Sequence, residues 1–195
     1  AFATGNLRLS REPEPADAFI IAVPTPATPR VEGGGDPTAE LGMVVAASQA
    51  ILPHLKPGNL VMLESTCPPR TTLDLVAPIL ERSGMRAGVD FLLAYSPERV
   101  LPGRILQELT ENARVIGGVT PASAEAGREL YALFVRGEIV LTDATTAEVV
   151  KLMENTSRDV SIAIANEFAR LAEHIGVAVW EAIAMANRHP RINIL

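Results

Sequence analysis

Apolar positions cluster along the chain in two ways. Short unbroken runs, AFIIAV at 18–23, NLVMLES at 59–65 and VDFLLAY at 89–95, suit strands buried on both faces of a parallel sheet. Between them, in LGMVVAASQAILPHL at 41–55 and in a stretch near 71–83, apolar residues recur every three to four positions, the spacing of one helix face. Asp36 and Pro37 offer a cap and first-turn pair for the first of these helices. Two more strands are expected in ARVIGG (113–118) and EIVLT (138–142), with a helix opening at Thr120-Pro121 between them. This alternation predicts α/β layers around a mostly parallel sheet. Ligands of such sheets bind beyond the carboxyl ends of the strands. Three of those ends carry unusual segments: VPTP at 23–26, ESTCPP at 64–69 and YSPER at 95–99.

From Thr145 the pattern changes. Thr145 and Glu148 have the spacing of a capping box, and neither Pro nor Gly interrupts the chain from there to Gly176. A helix of about 30 residues is about 45 Å long, more than a small domain needs, so it reads as a spine joining domains or packing on a partner subunit. A shorter helix is expected in AVWEAIAMAN at 178–187.

Composition narrows the function classes. The 195 residues are 48% hydrophobic with a formal charge of −6, enough for one sizeable core but without the basic stripe that nucleic acid requires. Cys67 is the single cysteine and the three histidines are scattered, which fits a reducing, cytoplasmic setting without a structural metal. No apolar run reaches the roughly 18–20 residues of a membrane span. The chain does not begin with Met, which suggests a piece of something longer or a processed product.

Several residues could carry chemistry. Glu98 follows Ser96-Pro97 at a predicted strand end, where a carboxylate can act as a general base; a salt bridge to Arg99 or Arg104 is the plain structural alternative. Glu64, Ser65 and Thr66 stand at another strand end, where the hydroxyls could instead cap the turn before Pro68. Lys151 and Asn155, four apart on the long helix, share a face and could stabilise an oxyanion, or could be an ordinary surface lysine and helix asparagine. Arg188, His189 and Arg191 could clamp an anion or form a basic helix end. Cys67 has no histidine nearby in sequence, and Gly33 to Gly35 do not fit G-x-G-x-x-G.

The order of the blocks IIAVPTP, LVMLESTCPPRTT, YSPERVLPGRILQEL, RVIGG, TAEVVKLMENTSRDVSIAIANE and NRHPRINIL resembles the nucleotide-sugar dehydrogenases, the UDP-glucose/GDP-mannose dehydrogenase family. PERVLPG, ENTSRDV and NRHPRINIL are most similar to the branch that oxidises UDP-N-acetyl-D-mannosamine. The resemblance implies the C-terminal part of a Rossmann-like parallel sheet (1–143, a partial NAD-binding domain) followed by a long-helix, all-α central dimerisation and substrate region (144–195). It implies oxidation of a UDP-sugar C6 alcohol to the carboxylate with two NAD+ in succession, for polysaccharide biosynthesis, by a homodimer. Glu98 then matches the acid/base glutamate and Thr66 the threonine that helps hold the reactive water. Thr25 and Pro26, with Thr66 and Glu98, lie where the cofactor passes. Lys151 and Asn155 match the oxyanion-stabilising pair, and Arg191 matches the arginine that in relatives reaches a substrate in the neighbouring subunit. Arg99 and His189 complete the substrate side, with Arg99 as local partner of Glu98 and with Pro97 and Pro102 holding it in place.

The chain also departs from the family pattern. Its first strand corresponds to the fourth of the family domain, so the Gly-rich turn for the pyrophosphate is missing and the first strand is expected at an unprotected edge. The sequence ends before the family's catalytic cysteine and UDP-binding domain, so this segment by itself is expected to be inactive. A truncated remnant that binds or dimerises without catalysis, and a dehydrogenase of hydroxy acids on the same sheet, are the alternatives.

Overall fold

A computed structural model describes residues 5–28, 38–100 and 103–195. Gly33 to Gly35, the Asp36-Pro37 pair and Pro102 fall outside the described residues. The chain divides into two compact units, Ala1–Val150 and Lys151–Leu195.

Five strands form one sheet in the order β1 (Ala18–Ile21), β2 (Leu60–Leu63), β3 (Leu92–Tyr95), β4 (Arg114–Gly118) and β5 (Ile139–Asp143). β1, β2 and β3 run parallel, β4 lies antiparallel to β3, and β5 is parallel to β4. All four residues of β2 are buried, as expected for an unbroken apolar run covered on both faces. Successive side chains point to opposite faces, so Val61 and Leu63 join Phe19, Ile21, Leu93 and Tyr95 in one core. Leu60 and Met62 join Ala94 and Ile116 in the other. The first core is closed by α1 (Gly42–Ile51) and by the helical stretch 72–83; the second is closed by α4 (Pro121–Ala132). β1 is the terminal strand on its side among the described residues, with Ile20 half exposed.

The stretch 72–83 is one helix of changing pitch. It is wide over Thr72–Val76, regular in α2 (Ala77–Leu80) and tight over Glu81–Ser83. Pro78 has no N–H to donate to the carbonyl of Asp74, and the widened turn falls there. Gly84 ends the stretch at φ 85°, a left-handed conformation that costs glycine little. α4 begins as expected, with Thr120 accepting from the Ser123 N–H and Pro121 in the first turn. A Cβ on Gly127 would fall 2.7 Å from Ile116 Cγ2, so a residue without one lets α4 lie close on the sheet. A short helix that the apolar pattern did not predict, α3 (Ile105–Glu111), lies in the connection from β3 to β4.

α5 (Ala144–Ile175) has 32 residues, about 48 Å at 1.5 Å per residue. Its start corrects the expected capping box. The Asp143 carboxylate accepts from Thr146 N (2.9 Å) and from Thr146 Oγ1 (2.6 Å), filling the capping role from the last residue of β5. Glu148 is buried and turned elsewhere: it accepts from Thr72 N (2.8 Å), Thr72 Oγ1 (2.6 Å) and Arg70 N (2.5 Å) at the head of stretch 72–83. A buried carboxylate is tolerated only when its lone pairs are filled, and four donors fill them once the Cys67 thiol at 3.8 Å is included. In the second unit, the end of α5 and α6 (Val179–Ala186) enclose an apolar groove of about 250 Å³ lined by Phe168, Leu171, Val179 and Ile183. Among the described residues no helix is long and apolar enough to cross a membrane.

Candidate active site

The carboxyl ends of β1, β2 and β3 open on one side of the sheet, and hydroxyls tie the first two together. Val23 N donates to Ser65 Oγ (2.9 Å), Ser65 Oγ donates to Val23 O (2.7 Å), and Thr25 Oγ1 donates to Thr66 O (2.5 Å). Ser65 thus bonds across to the end of β1 and not along the turn before Pro68, while the turn that follows Pro68 is closed by the Thr71 hydroxyl, which donates to Pro68 O (2.7 Å). Thr25 and Thr66 are half-buried and Pro26 is exposed at these paired ends. A dinucleotide can lie along such a crevice at adjacent parallel strand ends, so the residues present fit the family cofactor on this side.

Arg70 follows at φ 72°, a left-handed backbone that costs a non-glycine residue about 1–3 kcal/mol. It is held by its N–H on Glu148 and by its guanidinium fork on Asp74 (2.7 and 2.8 Å). Cys67 lies beneath, buried; burial, with Glu148 beside it, pushes its thiol up to about 12. It therefore stays a protonated thiol at neutral pH and is no nucleophile.

Beyond β3, buried Pro97 precedes Glu98. Glu98 Oε1 accepts from Arg99 N (2.6 Å) and Val100 N (2.8 Å), and Oε2 accepts from Arg114 Nη2 (3.2 Å). Partial burial pushes its proton affinity up, but the Val100 N–H, the Arg114 charge and the Arg99 N–H outweigh it and hold the carboxyl below its ordinary range. Glu98 is thus a carboxylate at neutral pH, able to accept a proton. The guanidinium of Arg99 donates to Ala113 O (2.8 Å).

Arg114 was not among the residues singled out from sequence. It is 16 positions from Glu98, and the reversal of β4 brings the two together. Tyr95, the last residue of β3, lies opposite Gly117, and Glu98, three residues after Tyr95, comes within 3.2 Å of Arg114, three residues before Gly117. Arg114 Nη1 also lies 3.6 Å from Glu64 Oε1, and its guanidinium sits 4.8 Å from the centroid of the Tyr131 ring. Tyr131 donates to Glu64. Burial pushes Glu64 up, against the Tyr131 hydrogen bond and the Arg114 charge, and also pushes Tyr131 up.

The remaining candidates belong to the second unit. Lys151 and Asn155 are half-buried, one turn apart on α5, with Asn155 Oδ1 accepting from Arg158 Nη2 (3.0 Å). His189 and Arg191 are exposed beyond α6, where His189 Nδ1 accepts from Arg191 N (3.3 Å). Asn187 clamps this tail through two bonds to the Ile194 backbone (2.7 and 2.8 Å).

Residues 1–135 match the UDP-glucose/GDP-mannose dehydrogenase family, NAD binding domain, and residues 145–195 match the central domain of the same family. A UDP-N-acetyl-D-mannosamine dehydrogenase of Methanocaldococcus jannaschii is 53% identical over the whole chain, which covers 44% of that protein. An NDP-N-acetyl-D-galactosaminuronic acid dehydrogenase of Ralstonia solanacearum is 50% identical, again over the whole chain and 46% of the relative. The solved UDP-N-acetyl-mannosamine dehydrogenase of Staphylococcus aureus superposes with a TM-score of 0.88 at 48% identity, with 100% of this chain and 46% of that one covered. The chain spans less than half the length of these relatives. By its two ordered domain matches and by this identity, the chain belongs to the UDP-glucose/GDP-mannose dehydrogenase family, with an NAD-binding domain of Rossmann-like fold.

Proposed function

We propose that the chain serves the NAD-dependent oxidation of UDP-N-acetyl-D-mannosamine at C6 to the uronic acid, a cytoplasmic step that supplies a charged sugar for polysaccharide biosynthesis. The observation that carries this reading is Glu98: a carboxylate kept ionised and anchored by Arg99 N, Val100 N and Arg114 at the ligand-facing end of β3. Bound NAD+ supplies the hydride acceptor, one per oxidation. Glu98 takes the proton that leaves the alcohol in the first oxidation and the water in the second. Thr66 holds that water and, with Thr25 and Pro26, flanks the cofactor. Lys151 and Asn155 stabilise the oxygen on which negative charge develops. Arg99, His189 and Arg191 hold the anionic part of the substrate. The functional boundary is drawn at Asp143, where β5 ends and α5 begins.

Two NADH formed per UDP-N-acetyl-D-mannosamine by the full-length protein, and none with UDP-N-acetyl-D-galactosamine, is the expected result. One NADH per sugar, or oxidation of UDP-N-acetyl-D-galactosamine in its place, overturns the reading. In the same assay Lys151→Ala is expected to lower turnover by about 10²–10³, the loss typical of one oxyanion donor. Unchanged turnover would remove Lys151 from the chemistry.

The homodimer is part of the same proposal. Val160, Ile164, Phe168 and Leu171 stand exposed on α5, an apolar stripe that a second copy can cover about a two-fold axis. This stripe also favours a second reading, a binding module without catalysis. Dimeric mass by light scattering together with the absence of NADH formation by the full-length protein would select it.

A further inference from the structure

We propose that Arg114 is the positioning residue of Glu98: buried at the start of β4 and backed by Glu64 and Tyr131, it fixes the Glu98 carboxylate at the open end of β3. The proposal rests on the reading in which Glu98 handles the proton.

A guanidinium cannot shed its charge, so a buried one must be paired. Arg114 is 4% exposed and finds two carboxylates on its two arms, Glu98 at 3.2 Å and Glu64 at 3.6 Å. The two are not equivalent. The Glu98 side chain is 38% exposed, so Arg114 grips it from the buried side and leaves it open to solvent. Glu64 is 16% exposed and is occupied by the Tyr131 hydroxyl. Burial pushes the Glu64 carboxyl up, against the Tyr131 hydrogen bond and the Arg114 charge, and Glu64 and Glu98 compete for the same guanidinium. The distance from Nη1 to Glu64 is beyond hydrogen-bonding range, and Nη1 has no hydrogen-bond partner among the described residues.

Each arm comes from a different element: Glu64 from the end of β2, Glu98 from the end of β3, Arg114 from β4 and Tyr131 from α4. A simple tie between strand ends needs one carboxylate. This arrangement adds a second and a phenol, placed so that the cation stays put whether or not Glu98 carries a proton. The N–H groups of Arg99 and Val100 also bond Glu98, and Tyr131 is linked to it through Arg114.

The test is the titration of Glu98 followed by NMR of carboxyl-labelled protein, with thermal melting recorded alongside. Arg114→Met is expected to raise the Glu98 midpoint by about one pH unit or more, the size of losing a cation in contact. Arg114→Lys, which keeps the charge but loses the fork, should restore most of that shift. If Arg114→Met does not fold, Glu64→Gln provides the second arm: it removes the competing carboxylate and should lower the Glu98 midpoint. A lower melting temperature with an unmoved Glu98 midpoint in these variants means that Arg114 is structural only, and overturns the proposal. In the full-length enzyme, the acid limb of the kcat profile should move with the NMR midpoint between Arg114→Lys and wild type; a limb that ignores it also overturns the proposal. Failure of the underlying reading looks different. Full turnover by Glu98→Gln would remove Glu98 from the chemistry, while the titrations would still report whether Arg114 holds it.

Discussion

The two units use their apolar residues in opposite ways. In Ala1–Val150 they fill two cores on either side of a sheet. In Lys151–Leu195 Ala172 is the one buried residue, while Phe168, Leu171, Trp180 and Met185 are exposed. A unit of 45 residues with so little inside cannot draw its stability from its own burial. The first unit carries its order within itself, whereas the second leaves an apolar face exposed.

Substitutions can break this contrast. The largest effect is expected at Leu93, fully buried at the centre of the sheet: Leu93→Ala should cost about 2–5 kcal/mol in chemical denaturation. A loss under about 1 kcal/mol would mean that the core there is loosely packed.

Next come two glutamates of the same helix. Glu148→Ala strips the acceptor from Arg70 N and Thr72 N in the first unit and should cost about 1–3 kcal/mol. Glu167, paired with Arg170 at 3.0 Å with both side chains largely exposed, should cost less than about 1 kcal/mol on replacement by Ala. Equal losses would erase the distinction between the units.

Asp143, at the head of α5, is smaller again: Asp143→Ala should cost about 1 kcal/mol, the usual loss of a cap. Its carboxyl is held low by the Thr146 hydroxyl and N–H. Its stabilisation is therefore complete above the unfolded-state pKa, about 3.9, and is lost as pH falls through the lower folded value. A wild-type minus Asp143→Ala difference that persists below that range would point to helix propensity in place of the cap.

Phe168→Glu should leave the stability of the monomer within about 0.5 kcal/mol, as at other exposed sites, and convert a dimeric mass to a monomeric one in light scattering. A dimer that survives the substitution would move the interface off this face.

These contrasts also separate what could be read along the chain from what could not. The five strands and the long helix follow from local periodicity. α4 follows from Thr120 and Pro121, since a cap is a matter of neighbours. Glu98 stood out because an acid between prolines at the end of an apolar run is odd on local grounds. Arg114 looked ordinary because its significance depends on the antiparallel register of β4, and the apolar runs do not encode strand direction. Tyr131 was hidden for a similar reason: an aromatic on a helix face reads as core, and its hydroxyl acquires a partner only when α4 settles over Glu64. Glu148 misled because its spacing from Thr145 fits a local motif, while in the fold it serves the head of another helix. Ser65 took a cross-strand bond in place of the expected turn cap, since a hydroxyl at a strand end can bond along its own chain or across to the next strand.

The reversal at β4 has a consequence for how this protein can vary. Glu98 lies three residues past the end of β3 and meets Arg114 because the antiparallel pairing holds β4 beside it, not because of the length of chain that runs on to β4. Residues can therefore be inserted, deleted or exchanged in the connection, α3 included, without moving the pair apart, because closing a longer loop adds little entropy. Glu98 and the segment that follows it are free to change on separate schedules. A family built on such a sheet can alter that segment while Glu98 keeps its place beside Arg114.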